Sequence, residues 1–218
     1  DPQPMTSELE KLYRNYYTHS PVAENGQGVE TRSYHLKRLL KKVLSLIFFW
    51  RRLSFRGDEG YLAGMSPGRL LDVGCGNGGF LAGMAKRGWD AHGIDFDQHA
   101  LEAASHRPGV RITHGDLISQ RFQSESFDAI HLGNVIEHLA NPMEVTSECF
   151  RLLKPGGRLV LITPNTSSLG HRLFGRDWRG LEPPRHLFLF NPASLRRLTE
   201  VAGFLSLQMF TVPGDRGS

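Results

Sequence analysis

The stretch LLDVGCGNGGFL, Leu70 to Leu81, constrains the fold of this 218-residue chain more than any other. An apolar run of strand length enters four glycines, Gly74, Gly76, Gly78 and Gly79, and leaves as a helical pattern. Glycine adopts backbone angles that side chains forbid and lets a ligand approach the main chain, while a helix start presents N–H groups outward. Strand, glycine turn and helix in this order suit an adenosine-containing cofactor held at the edge of a parallel sheet. Gly74, Gly76 and Gly79 also satisfy the dinucleotide pattern G-x-G-x-x-G, and Asp95 follows about 20 residues later, where a ribose-binding acid belongs. Taken alone, the turn admits two cofactor classes.

The remainder of the chain supports the α/β reading. Apolar runs predict strands at Arg69–Val73, Ala91–Ile94, Val110–Thr113, Phe127–Leu132, Arg158–Thr163 and Phe204–Val212. Between them, three- and four-residue periodicity predicts helices at Gly79–Arg87, Gln98–Ser105, Pro142–Leu153 and Pro192–Ala202. Pro142 and Pro192 follow Asn141 and Asn191, which suits capped first turns, and Asp97 suits the cap of the second helix. Gly88, the Gly156-Gly157 pair and Gly203 are read as helix stops. The first 60 residues form a separate region with helices at Ser7–Thr18 and Tyr34–Phe55, the latter carrying an apolar stripe that calls for a partner. Two units follow: a helical cap over 1–60 and a sheet domain over 61–218.

Charge is informative once located. The formal net charge is +4, yet Arg32, Lys37, Arg38, Lys41, Lys42, Arg51, Arg52 and Arg56 lie between Thr31 and Gly57 with no Asp or Glu among them. The rest of the chain is therefore net acidic, which argues against a nucleic-acid binder. The basic helix over 34–55 is read first as a cap and second as a peripheral membrane contact, since its cations flank Leu, Phe and Trp. Val43–Trp50, the longest uncharged apolar run, is too short to span a bilayer, and no leader is read at the start. Cys75 sits inside the glycine turn, so a bridge to Cys149 is not expected. The expected compartment is the cytoplasm.

Residues outside the turn discriminate between cofactors. Asp72 places a carboxylate at the end of the first strand, where it suits an amino group and would repel a pyrophosphate. The string D-V-G-C-G-N-G resembles the first motif of class I S-adenosylmethionine-dependent methyltransferases, and three later segments resemble the rest of that family's pattern in order: GIDFD, HGDL and LLKPGGRLVLITP. The resemblance covers Arg69 to Pro164 and implies a Rossmann-like three-layer sandwich with a mostly parallel sheet, N-terminal cap helices and a lid insertion after the fifth strand. It implies S-adenosyl-L-methionine held by Asp72, Gly74, Cys75, Gly76, Gly78, Asp95, Phe96, Asp116, Leu117, Gly133 and Asn134. Asp95 resembles the acid that binds both ribose hydroxyls and Asp116 the acid that accepts from the adenine amino group. As residues alone, Asp95 also reads as a helix cap and Asp116 as a turn residue. The family's sheet ends in an antiparallel strand for which no segment is found, so a sheet lacking that strand is expected.

Acceptor chemistry falls to two places. LGNVIEHL, Leu132 to Leu139, puts Glu137 and His138 beyond the fourth strand. This stretch resembles the ubiquinone-biosynthesis O-methyltransferases of the Methyltransf_23 type, whose E-x-x-E-H arrangement is linked to metal-assisted acceptor binding. Asn134 replaces the first acid, and no metal is assigned. WRGLEPPRHLFLF, within the Asn165–Phe190 insertion, resembles a lid segment of the same enzymes and supplies His186, as a general base or as a residue that ties the lid down. Glu137, His138 and His186 are the candidate catalytic residues. The expected reaction is methyl transfer to a small molecule, at oxygen, with a quinone, sugar or other secondary metabolite as acceptor. The rivals are an NAD-dependent oxidoreductase and a non-catalytic cofactor-binding protein.

Overall fold

The computed structural model describes residues 58–211. The helices expected at Ser7–Thr18 and Tyr34–Phe55, with the basic segment, lie outside the described residues. Within them, five strands form one sheet: β1 (Arg69–Val73), β2 (Asp90–Asp95), β3 (Val110–His114), β4 (Phe127–Gly133) and β5 (Leu153–Ile162). Their order is β3-β2-β1-β4-β5 and every pairing is parallel. Helices α1 (Gly79–Ala85), α2 (Gln98–Ser105) and α3 (Pro142–Leu152) make the crossovers, α4 (Leu169–Phe174) lies in the segment after β5, and α5 (Pro192–Val201) follows.

Both faces of the sheet are covered, so its central strands read as unbroken apolar runs. One core gathers Leu71, Ile94, Phe127, Ile130, Leu132 and Ile136 with Cys149 and Leu152 of α3 and Leu198 of α5. The other packs Leu70, Ala91, Ala129 and Val160 against Leu81 and Met84 of α1 and Trp89. The chain runs outward from β1 to β3, then returns to place β4 on the opposite side of β1. That reversal falls between β1 and β4, and the carboxyl ends of strands at such a switch point are where sheets of this kind bind ligands.

The predicted caps form. The side chains of Asn141, Asn191 and Asp97 accept from the backbone N–H of Glu144, Ser194 and His99. Two expectations are corrected. Gly156 and Gly157 do not stop α3, which ends at Leu152; β5 begins at Leu153, and Lys154–Gly157 form an irregularity where pairing jumps from Phe127↔Leu153 to Ala129↔Arg158. Gly156 takes φ 78° there, and the Lys154 ammonium donates to both Asp128 carboxylate oxygens at 2.9 and 2.8 Å. The second correction concerns Phe204–Val212: residues 204–211 form no strand. The alternating pattern there lacks a ladder to join. Phe204 packs edge-on against Phe150 at 5.2 Å, whereas Leu205 is 96% exposed.

Candidate active site

The glycine turn is shaped by its glycines and tied to the neighbouring strand. Gly74, Gly76 and Gly78 take φ of 68°, 50° and 69°, angles that L side chains adopt only with strain. A side chain at Gly74 would run into Val135, with Cγ2 at 2.5 Å, so the loop after β4 rests directly on the turn; at Gly76 nothing lies within 4 Å. Gly74 and Cys75 donate their N–H groups to the Ile94 carbonyl at 2.8 and 3.2 Å. Gly76 donates to Asp95 Oδ2 at 2.8 Å, Gly78 to the Cys75 carbonyl at 3.0 Å, and Gly79 to Asn77 Oδ1 at 3.0 Å. Much of the turn's donor capacity is thus spent inside the protein, and one donor is met by a carboxylate. A diphosphate needs those donors and would face Asp72 and Asp95. A cationic, phosphate-free cofactor meets no such conflict.

Both flanking acids are buried, Asp72 at 3% and Asp95 at 8% exposure. Asp72 lies opposite His131 in the β1–β4 register, and its Oδ1 accepts from His131 Nδ1 at 2.7 Å. Phe80 stacks on the His131 ring at 4.1 Å. A side chain at Gly133 would meet the same ring at 2.8 Å. Asp95 bridges the turn and the next helix, with Oδ1 accepting from Asp97 N–H at 2.9 Å; the helix cap itself is Asp97. Phe96, just beyond, is half exposed. Asp116 is exposed and its Oδ1 accepts from Ser119 N–H at 2.9 Å; that bond holds its carboxyl below the usual range. Its turn role is therefore present, while Leu117 beside it is buried in the core. Asn134 is exposed at φ 55°, its N–H donating to Ile162. Cys75 and Cys149 are buried, unbridged thiols, both pushed up chiefly by burial.

Glu137, His138 and His186 converge. Glu137 and His138 sit on a single turn of 3-10 helix, Ile136–His138, and the segment after β5 folds over it: Leu187 and Phe188 donate their N–H groups to the Glu137 carbonyl at 2.9 and 3.1 Å. The His138 and His186 rings meet edge to face at 4.7 Å. His138 Nδ1 lies 3.1 Å from the Arg185 carbonyl, and His186 Nδ1 lies 2.9 Å from the Gly180 carbonyl. His186 therefore closes a bond within its own segment, to Gly180, while facing the other two. Glu137 is 1% exposed; Oε2 accepts from Thr163 Oγ1 at 2.9 Å and, among the described residues, Oε1 has no hydrogen-bond partner. Burial pushes its carboxyl up to about 7. Burial also lowers His138 from its ordinary value. The partners His131 and Thr163 escape sequence reasoning; a lone histidine within the apolar run of β4 is the one signal of the first.

Comparison with known proteins agrees with this architecture. The family Methyltransf_23, a methyltransferase domain, matches residues 35–208. A Mycolicibacterium smegmatis protein named a probable S-adenosylmethionine-dependent methyltransferase is 37% identical over 150 residues, covering 66% of this chain and 54% of the relative. A Psychrobacter arcticus ubiquinone biosynthesis O-methyltransferase is 32% identical over 155 residues, covering 65% of this chain and 60% of the relative. The chain thus spans between half and two thirds of the length of these curated relatives. Among solved structures, a Thermotoga maritima protein described as a S-adenosylmethionine-dependent methyltransferase, possible histamine N-methyltransferase, superposes with TM-score 0.59 at 21% identity, covering 79% of this chain and 82% of the other. The Haemonchus contortus phosphoethanolamine N-methyltransferase 2, in complex with S-adenosyl-L-methionine, gives 0.53 at 24% identity, covering 66% and 35%. At these identities the structures establish a shared fold. With five parallel strands in this order and a family match across most of its length, the chain belongs to the Methyltransf_23 family of methyltransferase domains.

Proposed function

We propose that this protein transfers the methyl group of S-adenosyl-L-methionine to an oxygen of a small-molecule acceptor. One observation carries the cofactor assignment: a glycine turn whose N–H groups are largely engaged internally, set between two buried carboxylates. Asp72 receives the amino group of the methionine part, Asp95 the ribose hydroxyls, and the half-exposed Phe96 and Asp116 the adenine. Gly74, Cys75, Gly76 and Gly78 give the backbone approach, with Leu117, Gly133 and Asn134 around it. The positive sulfonium gains from the carboxylates that would repel a diphosphate. On this reading NAD is the wrong ligand.

Methyl transfer is an in-line displacement: the acceptor oxygen bonds the methyl carbon, the S–C bond breaks with its electron pair on sulfur, and the acceptor proton leaves to a base. Glu137, His138 and His186 form the acceptor-side group that orients the hydroxyl and takes its proton. A carboxylate pushed up to about 7 suits a base working near neutrality. The relatives named ubiquinone biosynthesis O-methyltransferase support oxygen as the acceptor atom and a quinone-like acceptor, with a sugar or other secondary metabolite as the alternatives. Calorimetry with adenosylmethionine, adenosylhomocysteine and NAD tests the cofactor, and adenosylhomocysteine release across phenolic, sugar and amine acceptors tests the reaction. Tighter binding of NAD than of adenosylhomocysteine would overturn the first; turnover confined to amines would overturn the second.

A further inference from the structure

We propose that His131 is a positioning residue for the methionine end of the cofactor: its ring fixes one oxygen of the Asp72 carboxylate and leaves the other for the cofactor's ammonium. The proposal rests on the reading of Asp72 as the group that receives that ammonium, and adds to it a residue that no motif in the sequence names. Asp72 and His131 are registered partners across β1 and β4. Two residues before each, Leu70 and Ala129 belong to the core packed against α1, so by strand alternation both side chains lie on the α1 side of the sheet. There Asp72 Oδ1 accepts from His131 Nδ1 at 2.7 Å, with each side chain 4% exposed.

The ring is held as firmly as the carboxylate it holds. Phe80, the second residue of α1, stacks on it with ring centroids 4.1 Å apart and planes 27° from parallel. Next on the same face of β4, Gly133 leaves the space that the ring fills; a side chain there would lie 2.8 Å from His131 Cε1. Since α1 is the helix that leaves the glycine turn, one imidazole joins that turn to β1 and β4. A carboxylate free to rotate would lose that freedom on meeting an ammonium, whereas one already hydrogen-bonded has lost it on folding. The choice of imidazole is chemical as well as steric. A buried carboxylate needs a donor, yet Lys or Arg in this place would compensate its charge and repel an incoming ammonium. A neutral imidazole gives one N–H and no charge, so the carboxylate keeps its attraction for the cation. Asp72 then selects ligands that carry the amino group, while the adenosine half falls to Asp95, Phe96 and Asp116 on the proposed function.

Calorimetry on the full chain compares adenosylhomocysteine with methylthioadenosine, which keeps the adenosine and the sulfur but lacks the amino acid. His131→Leu is expected to weaken adenosylhomocysteine about tenfold or more and methylthioadenosine less than about twofold. His131→Asn, whose amide N–H takes the place of Nδ1–H, stays within about threefold of the unaltered protein for both ligands. Equal losses for the two ligands in His131→Leu would reduce the ring to a structural support. An unchanged adenosylhomocysteine affinity there, or no recovery in His131→Asn, overturns the proposal as well. Should the variants fail to fold, ¹⁵N spectra of the unaltered protein decide: adenosylhomocysteine must shift His131 Nδ1 and methylthioadenosine must leave it in place, and any other outcome removes the positioning role. Asp72→Asn separates this proposal from the reading beneath it. Selective loss of adenosylhomocysteine in Asp72→Asn without one in His131→Leu overturns the role of His131 and leaves Asp72 its ammonium, whereas no selective loss in either variant removes both.

Discussion

Gly74 and Gly76 share a left-handed backbone but differ in what a methyl group would meet, so they separate folding from binding. Alanine at Gly76 has open space and incurs only the conformational strain, about 1 kcal/mol; it also projects where a cofactor approaches the main chain. Alanine at Gly74 adds a clash with Val135, for a total of roughly 3 kcal/mol. Urea denaturation should therefore rank Gly74→Ala well below Gly76→Ala, while calorimetry shows adenosylhomocysteine affinity falling in both. Equal stability in the two variants would contradict the geometry. A second expectation concerns the Asp72–His131 pair, each side chain 4% exposed. His131→Leu leaves the carboxylate without its ring partner and should lower stability by about 3 kcal/mol, with adenosylhomocysteine affinity falling alongside. Urea midpoints and calorimetry check both parts. Asp72, Asp95, Glu137 and His186 are nameable as candidates from the sequence because their residue types sit at motif positions. The Asp72–His131 contact is not, since it follows from β1 lying beside β4, a neighbour relation that no local pattern encodes.

At the scale of elements, legibility follows how local the cause is. Strands β1 to β4 and the helices after them match their predicted spans to within a few residues because apolar period and capping residues are local signals. The segment 204–211 carries a strand-like alternation but is not a strand, since a strand exists only through the ladder it joins. The start of β5 was displaced for a related reason: Gly156 and Gly157 signal a stop locally, yet Lys154 reaches back to Asp128 on β4 and holds the irregular stretch within the sheet. That clamp has a pH signature. The Lys154 ammonium, foremost, holds the Asp128 carboxyl below its ordinary range. A folded-state pKa beneath the unfolded one contributes stability above the unfolded carboxylate range and loses it as pH falls through the lowered value. Acid unfolding curves should therefore show a smaller loss as pH falls through and below the ordinary carboxylate range for Asp128→Asn than for the unaltered protein, with the two alike above that range. Partial exposure of both groups keeps the difference within about 1 kcal/mol at neutral pH. An identical acid profile for the two proteins would assign the clamp no energetic role.

Across the whole molecule, the reversal of strand order between β1 and β4 does two things at once. It sets the glycine turn against the loop that carries Glu137 and His138, and it lets the segment after β5 close onto that loop from the other side. On the proposed function, the cofactor and acceptor groups are neighbours through Val135, which abuts Gly74 and immediately precedes the Ile136–His138 turn. No helix among the described residues is long and apolar enough to cross a membrane. A ligand that binds only the folded form stabilises it by about 2.7 kcal/mol at one hundred times its Kd, which for a domain of this size raises Tm by roughly 5–10 °C. Adenosylhomocysteine should produce that shift and NAD at the same concentration should not, because the turn's donors are engaged and its flanks are carboxylates. Asp95→Ala removes the carboxylate that accepts from Gly76 and Asp97, so its shift should fall to less than half at the same adenosylhomocysteine concentration. A full shift in that variant would mean that the ribose and the turn are held by other groups, and the site would need to be reassigned from its acids outward.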